Sequence, residues 1–166
     1  MATTVQVNTY TYATTHVATN LIRSLKQLVI GCGLDASRLV GSWQTLERGV
    51  ATWLGTRHLE RLILEIYSPS TDRLVKRFDF DIDYSYHPNG DGDLWLDADT
   101  VAYALVKAGE VPRRCSYRIV ADTRLGAPDV NGWSSTTLRS TDHLRRRSVG
   151  ASVGGGDLGA VLNYWK

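Results

Sequence analysis

The sequence predicts a single α+β domain, and three features of its pattern support this fold class. Apolar residues recur at helical spacing between residues 14 and 55, strand-like alternation follows between residues 62 and 86, and a further helix and strand extend to residue 121. A chain of 166 residues has the size of one ordinary domain. Its content of 43% hydrophobic and 22% charged residues is typical of a protein with a buried core.

The N-terminal stretch combines β-prone residues with a helix start. Residues 5–12 read VQVNTYTY, which favours a short strand or an extended arm. Thr14 or Thr15 is then expected to cap a first helix that ends at Gly31.

Two more helices follow from the same kind of pattern. A second helix is expected to end at Gly55, and a third is expected to run through Val101, Leu105 and Val106 to Gly109. The predicted caps are Asp35 or Ser37 for the second helix and Asp97 or Asp99 for the third.

Three strands are expected in the middle of the chain. Residues 62–67 read LILEIY, a buried strand, and residues 68–72 have the composition of a turn. The next strand alternates, so Phe78, Phe80, Ile82, Tyr84 and Tyr86 share one face, while Arg77, Asp79, Asp81 and Asp83 share the other, which we expect to be solvated. Residues 115–121, CSYRIVA, form the third strand.

From Asp122 onward the chain is rich in glycine and shows no helical stripe. Low-complexity disorder would lack large aromatic residues, yet Trp133, Tyr164 and Trp165 are present. We interpret the segment as ordered but conditional, able to pack in more than one place.

The net charge and the cysteines indicate which partners and which cellular compartment to expect. A net charge of +2 is too small to argue for nucleic acid or a membrane surface. The basic cluster Arg139, Arg145, Arg146 and Arg147 is expected to be a solvated loop, with an acidic partner surface as the alternative. Cys32 and Cys115 suggest buried thiols in a reducing compartment, and with no predicted membrane span or signal peptide the expected location is the cytoplasm.

The residues with catalytic or metal-binding chemistry do not assemble a convincing site. The DxDxD run at residues 79–83 could hold Mg²⁺, but strand alternation already explains it. Asn89, Asp91 and Asp93 suggest a calcium loop but lack its glycine and its final glutamate. The sequence therefore predicts a binding protein without cofactor or metal; a metal-dependent enzyme using the DxDxD strand and a static scaffold subunit are the alternatives.

Three stretches and the ending NYWK carry a resemblance to a known family. The stretches are LERGVATWLGTRHLERLILEIYSPSTDRLVKRFDFDI at 46–82, GDGDLWLDAD at 90–99 and PDVNGWSSTTLRSTD at 128–142. Together they resemble the bacterial HORMA proteins of CBASS antiphage operons. The resemblance implies a HORMA fold with three helices packed on a three-stranded antiparallel sheet and a mobile C-terminal segment, the safety belt. It implies a single domain over 1–166, with an N-terminal arm or strand at 1–12, a core at 13–121 and the belt at 122–166.

The resemblance also implies a function and partners. A HORMA protein of this kind closes its belt around a closure-motif peptide, then binds and activates a cGAS/DncV-like nucleotidyltransferase. A Trip13-like AAA+ ATPase reopens it by pulling on the N-terminus. No membrane and no direct readout of nucleic acid are implied.

Site residues follow from the resemblance as well. The implied peptide-binding edge strand consists of Cys115, Ser116, Tyr117, Arg118, Ile119, Val120 and Ala121, of which Cys115, Tyr117, Ile119 and Ala121 should face the helices and the other three outward. The implied belt residues are Trp133, Ser134, Ser135, Thr136, Thr137, Tyr164 and Trp165, and the implied handle for the ATPase is Thr3, Thr4, Val5, Gln6 and Val7.

Two belt positions are expected. In the closed position, the belt strands should pair with residues 73–82, where the N-terminal strand at 3–12 would otherwise lie. Without peptide we expect the open position, in which the belt covers the strand at 115–121, because a bare hydrophobic edge promotes aggregation.

Overall fold

A computed structural model describes residues 9–85, 94–155 and 157–166. These residues form four helices and six strands. The helices are α1 (Thr9–Gly31), α2 (Ser37–Gly41), α3 (Trp43–Gly55) and α4 (Ala98–Ala108). The strands are β1 (Leu59–Tyr67), β2 (Leu74–Asp83), β3 (Trp95–Leu96), β4 (Ser116–Thr123), β5 (Arg146–Gly155) and β6 (Leu158–Trp165).

The strands make one antiparallel sheet in the order β3-β5-β6-β2-β1-β4. Its central part, β2-β1-β4, is the three-stranded sheet predicted from the sequence, and the C-terminal hairpin β5–β6 extends it beyond β2. The helices cover one face, which we call the inner face, and Leu62, Leu64, Phe78 and Phe80 are fully buried there. The predicted α+β fold class is confirmed.

The first helix begins earlier than the sequence predicted. Residues 9–12 belong to α1, so the expected strand or arm over 5–12 is wrong for its second half. The Tyr10 hydroxyl donates a hydrogen bond to the Leu54 carbonyl at 2.5 Å, and Arg57 lies 4.6 Å from the centre of the Tyr10 ring. These contacts with α3 outweigh the local β propensity.

The predicted cap is found for α4, where the Asp97 carboxylate accepts a hydrogen bond from the Asp99 amide. The predicted cap of the second helix, Asp35 or Ser37, is wrong: the N-cap of α2 is Ala36, although Asp35 Oδ1 accepts a hydrogen bond from the Ser37 amide at 2.8 Å. The second predicted helix is interrupted at Ser42, which separates α2 from α3. Val106, expected in the apolar stripe of α4, is 79% exposed because Thr100, Val101, Ala104 and Ala108 fill the buried face instead.

Asp79 of β2 does not lie on a solvated face, so the prediction of a solvated face was wrong for this residue. Asp79 is 1% exposed, and its two oxygens accept hydrogen bonds from Arg77 at 2.6 and 2.7 Å. The alternation itself was predicted correctly, but β6 adds to β2 and its side chains cover this outer face. A strand that pairs on both sides exposes less of its polar face than a hairpin alone would.

The glycines of the C-terminal segment have a packing role in this conformation. A Cβ atom at Gly154 would lie 2.7 Å from the Trp95 indole nitrogen, and one at Gly155 would lie 2.5 Å from Leu94. In the docked hairpin, these two glycines make room for side chains of the segment before α4, a packing role in addition to the conformational freedom expected from the sequence.

We expect Asp79→Ala to destabilise the fold by about 3 kcal/mol, because it leaves the buried Arg77 guanidinium without its counter-ion. Asp83→Ala, at the exposed end of the same strand, should change the free energy of unfolding by no more than about 0.5 kcal/mol. Urea unfolding of both variants measures this difference. Equal, small losses would mean that the outer face of β2 is effectively solvated.

Candidate peptide-binding groove

The strand β4 ends the sheet among the described residues, and its side chains alternate as expected. Tyr117 is 6% exposed and belongs to the inner core, against which Cys115, Ile119 and Ala121 also pack. On the outer face, Val120 is only 7% exposed because it lies beside the fully buried Ile63 of β1. The edge strand therefore has one face fixed by the core and one edge that no described strand pairs with.

A groove separates this edge from the segment that follows β4. The groove consists of two adjoining cavities of about 560 and 470 Å³. Both are lined by Ile119, Val120, Trp133, Ser134, Ser135 and Thr136. Residues 124–137 thus form the wall opposite β4, and we call this segment the strap.

Trp133 fixes the strap to α3. Its indole nitrogen donates a hydrogen bond to the Thr45 carbonyl at 2.9 Å, and a Cβ atom at Gly49 would lie 2.3 Å from that nitrogen. Its ring meets the Trp53 ring edge to face, with centroids 5.0 Å apart and planes at 77°. Because Trp53 Nε1 also donates to the Pro128 carbonyl at 2.8 Å, two indoles hold this wall against the helix.

The two halves of the groove differ in chemistry. The half toward Leu125 is lined by Trp53, Ala127 and Val130, with Asp122 and Asp129 beside them. The other half is lined by Ser42, Thr45, Leu46 and Arg118. Leu125, in the first half, is fully exposed, so a large apolar side chain lies unpacked at the opening of the groove.

Beyond the strap, a buried ion cluster holds the chain across the outer face of the sheet. Glu65 is 0% exposed and accepts hydrogen bonds from Arg118 Nε at 2.5 Å and from the Arg139 guanidinium at 2.9 Å. The Arg139 backbone amide also donates to Glu65, at 2.8 Å. We call Glu65, Arg118 and Arg139 the latch.

The latch connects β1, β4 and the belt. Arg139 reaches on to Asp72 at 2.6 Å, with its guanidinium 3.5 Å from the centre of the Tyr67 ring. Arg118 donates to the Thr136 hydroxyl at 2.7 Å and to the Thr137 carbonyl. Thr136 and Thr137, predicted as belt residues, are therefore tied directly to the predicted edge strand.

The end of the belt is fastened to the carboxylates of β2. Trp165 Nε1 donates to Asp79 at 3.1 Å, and Asn163 Nδ2 donates to Asp81 at 2.8 Å. Arg146 of β5 pairs with Asp81 at 3.0 Å, and burial raises the pKa of the Asp81 carboxyl. Tyr164 points to the inner side and is 9% exposed. Asp79 and Asp81 of the DxDxD run thus act as acceptors for the docked belt.

The belt is in the position that the sequence analysis assigned to the closed state, because β6 pairs with Arg77–Asp83. The physical reason is burial: Leu158, Ala160 and Leu162 enter the inner core only when β6 lies on β2.

Several predicted sites lie outside the described residues. The proposed handle, Thr3–Val7, and the calcium-like loop at Asn89, Asp91 and Asp93 are among them. Within the described ranges, no cluster of three or more His, Cys, Asp or Glu could hold a metal ion, and no helix is long and apolar enough to cross a membrane. Cys32 is buried and Cys115 half-buried; both are free, and burial raises the pKa of both thiols.

Sequence analysis did not identify two central parts of the site. Glu65 was predicted to lie in a buried strand and was given no role of its own, and Arg139 was predicted to lie in a solvated basic loop. A charged residue in the middle of an otherwise apolar strand is the signal that could have marked Glu65, because such a charge needs a partner.

Fold and groove together define a class of protein: an α+β domain whose C-terminal belt crosses beside a free sheet edge. Comparison with family models identifies the group within that class. The model described as "Bacterial HORMA domain 2" matches residues 2–166, and the chain belongs to this family. The family predicted from the sequence is confirmed.

Solved structures show the same fold at low sequence identity. A chain of the mitotic checkpoint complex superimposes with a TM-score of 0.70 at 9% identity, covering 90% of this chain and 95% of that chain. C. elegans HTP-2 bound to a HIM-3 closure motif gives a TM-score of 0.58 at 15% identity, covering 80% and 71%. The E. coli MS115-1 CdnC:HORMA-deltaN complex gives 0.56 at 9% identity, covering 98% and 97%. The search of curated proteins gave no match.

Gly49→Ala tests how the strap is anchored without altering the strap itself. The added methyl group would collide with the Trp133 indole, so we expect faster amide hydrogen exchange over residues 128–137. Gly55→Ala, in the same helix and with nothing within 4 Å of the added Cβ, is the matched control. Unchanged exchange in Gly49→Ala would show that Trp133 does not hold the strap.

Glu65→Gln tests the latch. Loss of the carboxylate leaves two arginines facing each other without a counter-ion, so we expect a loss of about 3 kcal/mol in the free energy of unfolding and faster exchange around Arg139. Glu60→Gln, on the exposed side of the same strand, should cost no more than about 0.5 kcal/mol. If the two variants have equal stability, the latch does not stabilise the belt.

Proposed function

We propose that this chain is a non-enzymatic adaptor that encloses an extended peptide in the groove between β4 and the strap. One observation carries the proposal: β4 presents an edge that no described strand pairs with, and an anchored segment of the same chain faces it across a groove. An extended peptide that adds to such an edge gains backbone hydrogen bonds from the strand and side-chain contacts from the walls.

The contacts of the belt give the capture mechanism. Trp133 holds one side of the strap to α3, and the latch holds its other side to the outer face of the sheet. A peptide on β4 would therefore be encircled, and it could not leave until one of these attachments opened. The strength of the attachments then governs the dissociation rate more than the association rate.

The similar proteins support this function. C. elegans HTP-2 was solved with a bound closure motif, and the E. coli HORMA protein was solved with CdnC. By analogy, the closed, peptide-bound chain binds and activates a cGAS/DncV-like nucleotidyltransferase in the cytoplasm as part of antiviral defence. This step uses no metal or cofactor of the chain itself, and Asp79 and Asp81 are already engaged by Arg77, Asn163 and Arg146.

Reopening by a Trip13-like AAA+ ATPase completes the proposed cycle. Such an enzyme would pull on the chain before α1, where Thr3–Val7 are the proposed handle. Tyr10 then couples the pull to the core, because its hydroxyl binds the Leu54 carbonyl of α3. Leu54 is preceded in α3 by Trp53, and Trp53 packs against Trp133 of the strap. A pull on α1 would therefore be transmitted to the strap through α3.

Peptides selected from a random library on the wild-type chain test the proposal. We expect Trp133→Ala to weaken the selected peptides at least tenfold, about 1.4 kcal/mol, because the strap loses its anchor. Trp43→Ala removes another half-buried indole of α3, one that bonds to Glu47 outside the groove, and should leave affinity within about twofold. If no peptide is selected, or if both variants bind as the wild type does, the groove is not the binding site.

A further inference from the structure

Four basic side chains gather where the C-terminal hairpin meets the end of α4. Lys107 lies in the last turn of α4, and Lys166 Nζ donates to the Lys107 carbonyl at 3.4 Å. Arg145 and Lys166 exchange both backbone hydrogen bonds, at 2.9 and 3.1 Å. Arg147 stands two residues further along the same strand. We call these four residues the basic platform.

Strand alternation places the platform on one side of the hairpin. Arg146 points to the outer face, where it pairs with Asp81, so Arg145 and Arg147 point to the inner side. Arg147 is opposite Tyr164, which packs into the inner core, and Lys166 follows Tyr164 by two residues. All three basic side chains of the belt therefore emerge on the side where α4 lies.

The charges of the platform are available to a partner. Lys107, Arg145, Arg147 and Lys166 are all exposed, and none forms an ion pair within the described ranges. In contrast, Arg139 and Arg146 of the same sequence cluster are engaged by Glu65, Asp72 and Asp81. The structure thus divides the basic cluster into two arginines with internal partners and two with none.

Exposed aromatic and aliphatic groups lie beside the platform on α4. Tyr103 is 53% exposed with Lys107 Nζ 5.4 Å from its ring centre, and Val106 is 79% exposed. Arginine and tyrosine are both enriched in protein–protein interfaces relative to the rest of the surface. Four cations in a chain whose net charge is +2 supply only a small electrostatic contribution to binding nucleic acid, because that contribution grows with the number of phosphates neutralised.

We infer that the basic platform is the docking surface for an acidic face of the proposed nucleotidyltransferase partner. Lys107 and Tyr103 belong to α4, which precedes the belt in the chain, whereas Arg145, Arg147 and Lys166 belong to the belt. The two groups meet only while β6 is paired with β2. Any other belt position separates the charges, so binding to the platform favours the docked belt by linkage.

This inference rests on the proposed function, which supplies the test partner. The probe is the purified cGAS/DncV-like nucleotidyltransferase from the same genome, titrated against the peptide-loaded full chain. In the variant Arg145→Glu/Arg147→Glu, the affinity for the nucleotidyltransferase should fall at least tenfold, and the difference from the wild type should become smaller as the salt concentration rises. The matched control Arg23→Glu/Arg48→Glu makes the same charge change at exposed positions of α1 and α3 and should lose less than about twofold.

Two further measurements guard against misfolding and non-specific charge effects. Lys107→Glu lies outside the belt and should weaken the complex in the same direction, and both platform variants should retain the affinity of the wild type for the selected peptide. If the wild type binds the nucleotidyltransferase and both Arg145→Glu/Arg147→Glu and Lys107→Glu bind it equally well, the inference is wrong while the proposed function stands. The same holds if the control variant weakens the complex as much as the platform variants do. Absence of any wild-type complex overturns the proposed partner and the inference together.

A last arm separates an acidic protein from a polyanion. Duplex DNA of about 20 base pairs is titrated at physiological salt against the same variants. Suppose that DNA binds the wild type and that Arg145→Glu/Arg147→Glu weakens DNA binding but not binding of the nucleotidyltransferase. The platform is then a nucleic-acid surface and the inference is wrong. Little DNA binding with a charge-sensitive protein complex supports it.

Discussion

The buried carboxylate of Glu65 is the constraint on which the closed arrangement depends. A charge this deep in the structure costs several kcal/mol unless it is paired and hydrogen-bonded. Glu65 meets that requirement with one arginine from the sheet, Arg118, and one from the belt, Arg139. The belt is therefore held across the outer face by a charge that belongs to the core. When the belt leaves, half of that compensation leaves with it.

The same constraint shapes the groove. With Arg139 fixed on Glu65 and Trp133 fixed on α3, the residues between them must pass around the outer edge of β4. The groove is consequently the space between β4 and a segment of chain that is attached at both ends, and it is not a cavity within the hydrophobic core. The proposed extended ligand would therefore need no deep cavity, and the attachments at the two ends, rather than the walls, would set how long it stays.

Much of the fold could be read from local pattern. Helical spacing, the cap at Asp97 and the alternation of β2 correspond to the structure because each depends on neighbours in sequence. The errors share a different origin. Residues 9–12 looked β-prone but are helical because Tyr10 contacts Leu54, and Asp79 looked solvated but is buried because β6, some 80 residues later, pairs with its strand. Val106 was misplaced for the same reason, since only packing decides which face of α4 is inside.

The sequence by itself determined the fold class, the family and the division into a core and a glycine-rich C-terminal segment with three large aromatic residues. These are properties of residue order and local spacing, which the chain carries before it folds. Only the tertiary structure decided which edge the belt occupies, which charges find partners and which stay exposed. Glu65 and Arg139 are 74 residues apart, and Lys107 and Lys166 are 59 apart. No local pattern encodes such pairs, because their proximity comes from the order of strands in the sheet.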